Sequence, residues 1–168
     1  MEQPQFYGNQ GYNFDRLPRK TITIQILAAD LAKTSNIYDL IEPLTIDKLS
    51  DVYIDSFVSN NVAPTGTATD LATEIFILGI KEFNIQSVSN KQLYHNKLII
   101  PNTTGSSEAV TTTVTHRATK FNFIGTVNPT TLSSLEISLT NSAGNAFDNG
   151  VFPTTAKVWI TFMIVARD

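Results

Sequence analysis

The side chains with most chemical range in this chain are two histidines, one tryptophan and a scatter of carboxylates; there is no cysteine. His95 lies in Tyr-His-Asn and His116 in Thr-His-Arg. A metal centre needs ligands at short fixed spacings, such as the histidines of H-E-x-x-H on one helical face. Neither that spacing nor a His-x-His pair occurs, so both histidines are expected at loop or strand-end positions, with no metal and no cofactor. Asp51 and Asp55 would share one face of a strand, about 13 Å apart at roughly 3.3 Å per residue. Paired carboxyls in glycoside hydrolysis stand closer than that. With Glu42 and Asp47 nearby, the pair reads as a solvated acidic rim. Asp148-Asn149-Gly150 lacks the remaining ligand positions of a calcium loop, and a turn accounts for it. No nucleophile elbow, phosphate loop or dinucleotide fingerprint occurs. Thr104-Gly105-Ser106-Ser107 is loop chemistry, and Asn102-Thr103-Thr104 is a formal glycosylation sequon. Without thiols there are no disulfides, thiolate zinc sites or cysteine nucleophiles. The expectation is that the chain is not an enzyme. Trp159 could in principle offer a sugar ring a stacking platform, but in so apolar a run it is expected in the core.

Charge narrows the partners. A net charge of -3 and a pI near 5.3 argue against nucleic acid, which asks for a basic patch. Arg16, Arg19 and Lys20 cluster, but they read as a solvated strand entrance. Residues 1–10 (MEQPQFYGNQ) show no charged n-region followed by an apolar h-region, so no export signal is expected. The longest apolar run, residues 158–166, is about half the roughly twenty residues a spanning helix needs. No membrane insertion is expected.

The elements that would carry these residues are strands. Residues 1–18, rich in Gln, Asn, Gly and Tyr, show no period and cannot offset their ordering entropy alone. They read as an extended N-terminal arm, with Phe6, Tyr7, Tyr12, Phe14 and Arg16 as its partner contacts. Residues 19–168 read as one domain, a size that buries most of the apolar surface of its unfolded chain. Residues 21–28 (TITIQILA) alternate cleanly, as a half-buried strand does. Residues 30–40 read as a loop or short helical turn with Asp30 as N-cap, ended by Pro43. Strands are expected at 44–49, 51–58, 74–88 (bent at Gly79), 97–100, 116–127, 134–140 and 157–166. That makes roughly eight strands with uneven connections and no βαβ rhythm. The fold class is all-β: a single eight-stranded antiparallel jelly-roll sandwich, with an up-and-down barrel as its rival.

The succession FILGIKEFNIQS, KLIIPN, KFNFIGTVNPTTLSSLEISLTNSAGNAF and WITFMIVARD resembles the single jelly-roll penton proteins of nucleocytoplasmic large DNA viruses. The likeness spans roughly residues 20–168 and rests on strand order and turn phrases such as Asn128-Pro129 and Gly144-Asn145. It implies a structural capsid protein, a penton subunit forming a homopentamer at the icosahedral vertex. It further implies contacts with the major capsid protein of surrounding capsomers and with minor capsid proteins. The localisation it implies is the virion capsid, after synthesis and assembly in the host cytoplasm. The alternatives are a non-vertex minor capsid protein, or a binding module of lectin-like or tumour-necrosis-ligand type.

Overall fold

Every strand of this protein pairs antiparallel with its neighbours, and the strands divide into two sheets. The computed structural model describes residues 18–60, 75–101, 114–147 and 155–167, and of 114–121 the backbone only. The elements are β1 (Arg19–Leu27), α1 (Ala28–Leu31), β2 (Asn36–Ile46), β3 (Ser50–Asn60), β4 (Ile75–Ile80), β5 (Asn84–Ile85), β6 (Leu98–Pro101), β7 (Val114–Val127), β8 (Thr130–Thr140) and β9 (Lys157–Ala166). One sheet has the order β1-β9-β3-β7-β5 and the other β2-β8-β4-β6. Apart from the two-residue β5, the chain crosses between sheets at most steps, so strands adjacent in sequence face one another across the core. This is the jelly-roll sandwich; the separate sheets exclude the barrel.

Period-two alternation aims the core residues. Ile22, Ile24 and Ile26 on β1 and Val158, Ile160, Phe162 and Ile164 on β9 point inward from one sheet. Phe76, Leu78 and Ile80 on β4 and Leu135, Ile137 and Leu139 on β8 meet them from the other. Phe57 and Phe76 join the sheets with ring centroids 5.0 Å apart, and Phe147 extends the stack at 5.6 Å. Phe147 is held there by its own amide, which donates to the Leu31 carbonyl at 2.9 Å.

Four local expectations need correction. Residues 30–40 are not mainly loop. A single helical turn ends at Leu31 and β2 begins at Asn36, where Tyr38 and Leu40 pack on the core. Asp30 lies inside that turn, and Leu27 occupies the cap. Residues 74–88 do not form one bent strand: β4 stops at Ile80, the chain turns, and β5 pairs with β7. Gly79 sits within β4 because Lys97 and the Ser138 hydroxyl approach where a Cβ would stand, the latter at 2.6 Å. Trp159 is not in the core; it lies half-buried on the outer face of its sheet, in register with Gln25 and Val58. Asp51 and Asp55 do not share a simple face either, since the register of β3 slips between Ile54 and Ser56.

The connection from β7 to β8, which carries the chain from one sheet to the other, follows its sequence closely. β7 and β8 are joined by Asn128 and Pro129 alone. The loop after β8 turns at Gly144, with φ of +81°, a conformation costly for residues with a Cβ. The Asn141 side-chain oxygen accepts from the Ala143 and Asn145 amides, both at 3.0 Å, an Asx-type turn.

Candidate interaction surface

The sandwich has two lateral edges, and both are apolar and charged in different ways. At one edge lie β1 and β2, the outermost strands of their sheets. The alternation of β2 turns Tyr38, Leu40 and Leu44 toward the core, leaving Ile37 and Asp39 outside. Between the paired positions Asp39 and Leu44, residues 40–43 stand opposite Ser133 alone. This excursion lifts Ile41 clear of the sheet, where it is fully exposed, and Ile37 is 61% exposed. Pro43 fits here because an edge strand has amides that need no ladder partner. A groove of about 570 Å³ runs between the two strands, lined by Thr23, Gln25, Ile37, Asp39 and Glu42 among others. Burial pushes the Tyr38 phenol beside it up to about 12; a hydrogen bond with Asn36 opposes this and the charge of Asp30 adds to it.

At the opposite edge lie β6 and the segment that follows β5. Residues 86–97 cross without strand pairing and are tied back on themselves. The Asn96 amide donates to the Ser87 carbonyl at 3.0 Å, and the Ser87 hydroxyl to the Lys97 carbonyl at 2.9 Å. Leu93 and Tyr94 lie against the 141–147 loop: Leu93 crowds Gly144, and the Tyr94 hydroxyl reaches the Ser142 carbonyl at 3.5 Å. Val88 at 94% and Ile99 at 51% exposure are the apolar residues of this edge.

Charge separates the two edges. Asn36–Ile46 carries Asp39 and Glu42 with no Lys or Arg, whereas residues 84–101 carry Lys91, His95 and Lys97 with no carboxylate. Asp39, Glu42 and Lys91 make no ion pair among the described residues. Lys97 is turned inward, its ammonium donating to the Ser138 hydroxyl at 2.7 Å.

Against the β5/β6 edge, where Asn84, Ile85 and residues 95–97 face Glu136 and Ser138 of β8, is a polar groove of about 760 Å³. Lys81 and Glu136 pair across it at 2.6 Å, and the Glu136 amide donates to Glu82 at 3.0 Å. The hydrogen bond from Lys81 holds the Glu136 carboxyl below its ordinary range, and the same bond raises Lys81. His95 stands at the margin, exposed. These groups can anchor a polar ligand, and the Lys97–Ser138 contact opens onto the same groove. Among the described residues no group of three or more His, Asp and Glu is placed to hold a metal. Asp51 is engaged by Arg167 at 2.6 Å, and Asp55 is exposed at the β3 irregularity. His116 lies on β7 opposite Phe57.

The proposed arm contacts Phe6, Tyr7, Tyr12, Phe14 and Arg16 lie outside the described residues. Sequence reasoning placed Glu42 in an acidic rim but missed Ile37, Asp39 and Ile41 as surface features, the first two because residues 30–40 read as a loop. The period-two signal from Asn36 to Leu40 is blurred, because apolar Ile37 takes an outward position beside inward Tyr38 and Leu40. No protein-family model matches the chain, and no curated protein matches it.

Proposed function

We propose that this protein is a structural capsid subunit: a penton that forms a homopentamer at the icosahedral vertex of a large DNA virus. The observation that supports it best is a single jelly roll whose β2 edge and β5/β6 edge differ in shape and charge. Identical subunits close into a ring only through two different, complementary patches on each copy, and such edges supply them. In this reading the sheets stand upright around the axis, and the outer capsomers are met by the remaining surfaces. The aromatic arm, residues 1–18, ties the subunit to capsid neighbours.

The test is the native mass of the purified chain, together with its incorporation into particles. A mass near five times 18.5 kDa is expected, and removal of residues 1–18 is expected to lower incorporation into capsids. A trimer would overturn the vertex assignment.

One observation favours a second reading, a sugar-binding module. Trp159 occupies the outer face of the five-stranded sheet, where a stacking platform would stand. As the chain has one tryptophan, its fluorescence reports directly on that face. An emission shift that saturates with an oligosaccharide would support the module; a flat titration would remove it.

A further inference from the structure

The charge and shape of the two edges assign partners at the level of residues, and this inference rests on the ring reading above. We infer that two copies of this chain meet head to tail: the β2 edge of one docks against residues 86–99 of the next. Ile37 and Ile41 of the first copy meet Val88 and Ile99 of the second, and Asp39 and Glu42 face Lys91.

Three observations converge on a second copy as the occupant. The three most exposed large apolar side chains described, Ile41, Val88 and Ile37, lie at these two edges together with Ile99, while Phe123 on β7 is exposed elsewhere. Scattered single residues of this kind are ordinary, but here they gather at opposite ends of one four-stranded sheet, β2 and β6 with its approach. Within the docking segments the charges are opposite, Asp39 and Glu42 on β2 against Lys91 on the other. Lys20 of β1 is occupied by the Thr45 carbonyl and Asp47 at the far end of β2. Asp39, Glu42 and Lys91 have no ion-pair partner within the described residues, so contact between copies would neutralise charge without breaking an existing pair. Finally, among the described residues β2 is an edge strand with no pairing partner on one side, and its Pro43 and four-residue excursion spoil continuous strand addition. That leaves a contact made by side chains, which matches one edge to a different edge and disfavours β2 pairing with itself.

The chain contains no cysteine, so single introduced thiols report cleanly. Ile41→Cys and Val88→Cys are both at exposed positions and are expected to leave the fold unchanged. Each purified variant is treated alone, and then as a mixture, with a short bifunctional maleimide. The mixture is expected to give a cross-linked dimer about tenfold faster than either variant alone, because docking raises the effective concentration of the two thiols. In the double variant Ile41→Cys/Val88→Cys the ladder is expected to stop at a closed five-subunit product. As a second readout, Lys91→Glu is expected to lower the native mass, and adding Asp39→Lys with Glu42→Lys to restore it.

The outcomes separate the two ideas. A ladder that closes at another number supports this contact and overturns the penton assignment. A native pentamer without preferential cross-linking between the mixed variants overturns this contact and leaves the penton standing. Cross-linking of Ile41→Cys mainly with itself indicates a two-fold interface and overturns the head-to-tail arrangement. A monomer that fails to cross-link overturns the contact, and particle incorporation then decides the penton separately.

Discussion

β4 and β9 both read as unbroken apolar runs, yet they are apolar for different reasons. In β4 (IFILGI) the outward-facing Ile77 is as buried as the inward residues, at 1% exposure. On that side Lys97 lies over Gly79, two residues along from Ile77, and Leu93 touches Gly144 of the loop after β8. In β9 (KVWITFMIVA) the inward Val158, Ile160 and Phe162 are fully buried, but Trp159, Thr161 and Met163 alternate with them on a half-buried outer face. Their shelter is lateral: Gln25, Thr23 and Thr21 of β1 on one side, Val58, Ser56 and Tyr53 of β3 on the other. A continuous apolar run therefore marks a strand covered on both faces in one case and a central strand with large neighbours in the other. Side-chain identity along one strand does not distinguish them.

Substitutions can break this comparison, and the inner faces should respond most. Phe76→Ala removes a ring that joins the sheets through Phe57, and Phe162→Ala one that packs edge-on against Phe83; each is expected to cost about 3–5 kcal/mol in denaturant unfolding. Ile77→Ala tests the covered outer face directly, with an expected loss of about 2–4 kcal/mol. Trp159→Ala tests the laterally sheltered one and is expected to cost about 1 kcal/mol. If Trp159→Ala destabilises as much as Ile77→Ala, the distinction between the two strands collapses.

Glycines sharpen the same contrast. A Cβ at Gly125 would run into the backbone carbonyl of Asn84, whereas one at Gly79 would meet the flexible end of Lys97 and the Ser138 hydroxyl. Gly125→Ala is expected to cost about 1–3 kcal/mol and to free the amides of β5 for hydrogen exchange. Gly79→Ala should cost less, because Lys97 can swing away. Equal effects would mean that the covering segment is more rigid than its hydrogen bonds imply.

The smallest effects belong to titration. Tyr38 is raised from 10.0 to about 12 by burial, so the folded state prefers the neutral phenol. Its contribution is complete below pH 10.0 and is lost as pH rises toward about 12. Melting temperature should therefore fall across that interval, and Tyr38→Phe should flatten the fall. The Lys81–Glu136 pair works in the opposite sense at its acid end. Glu136 is lowered from 4.5, so its contribution is present above that pH and fades as pH drops through the folded value. Both partners are solvent-exposed, and Glu136→Gln is expected to change acid stability only slightly.

Much of the architecture was legible from residue order. Ile22, Ile24 and Ile26 announced a half-buried strand, Asn128-Pro129 a tight connection, and the irregular loop lengths a two-sheet sandwich. These signals are local: alternation places side chains on faces, and Pro, Gly and Asn limit the backbone dihedrals available. The absent metal spacings were legible in the same way, as a statement about sequence alone. Less local features escaped. The first half of β2 looked like a loop because apolar Ile37 faces outward and blurs its alternation, and only pairing with β8 shows that four residues bulge opposite one. The run from β4 to β5 looked like one strand because the turn at Lys81 and Glu82 carries no glycine or proline. Trp159 looked like core because hydrophobicity does not say which face of a sheet is covered. Which strands share a sheet, which edges stay open and which charges end up at opposite edges are set by pairings between residues more than a hundred positions apart, such as Gln25 with Trp159. Local propensity carries no information about such partners; burying both sheets against one core does.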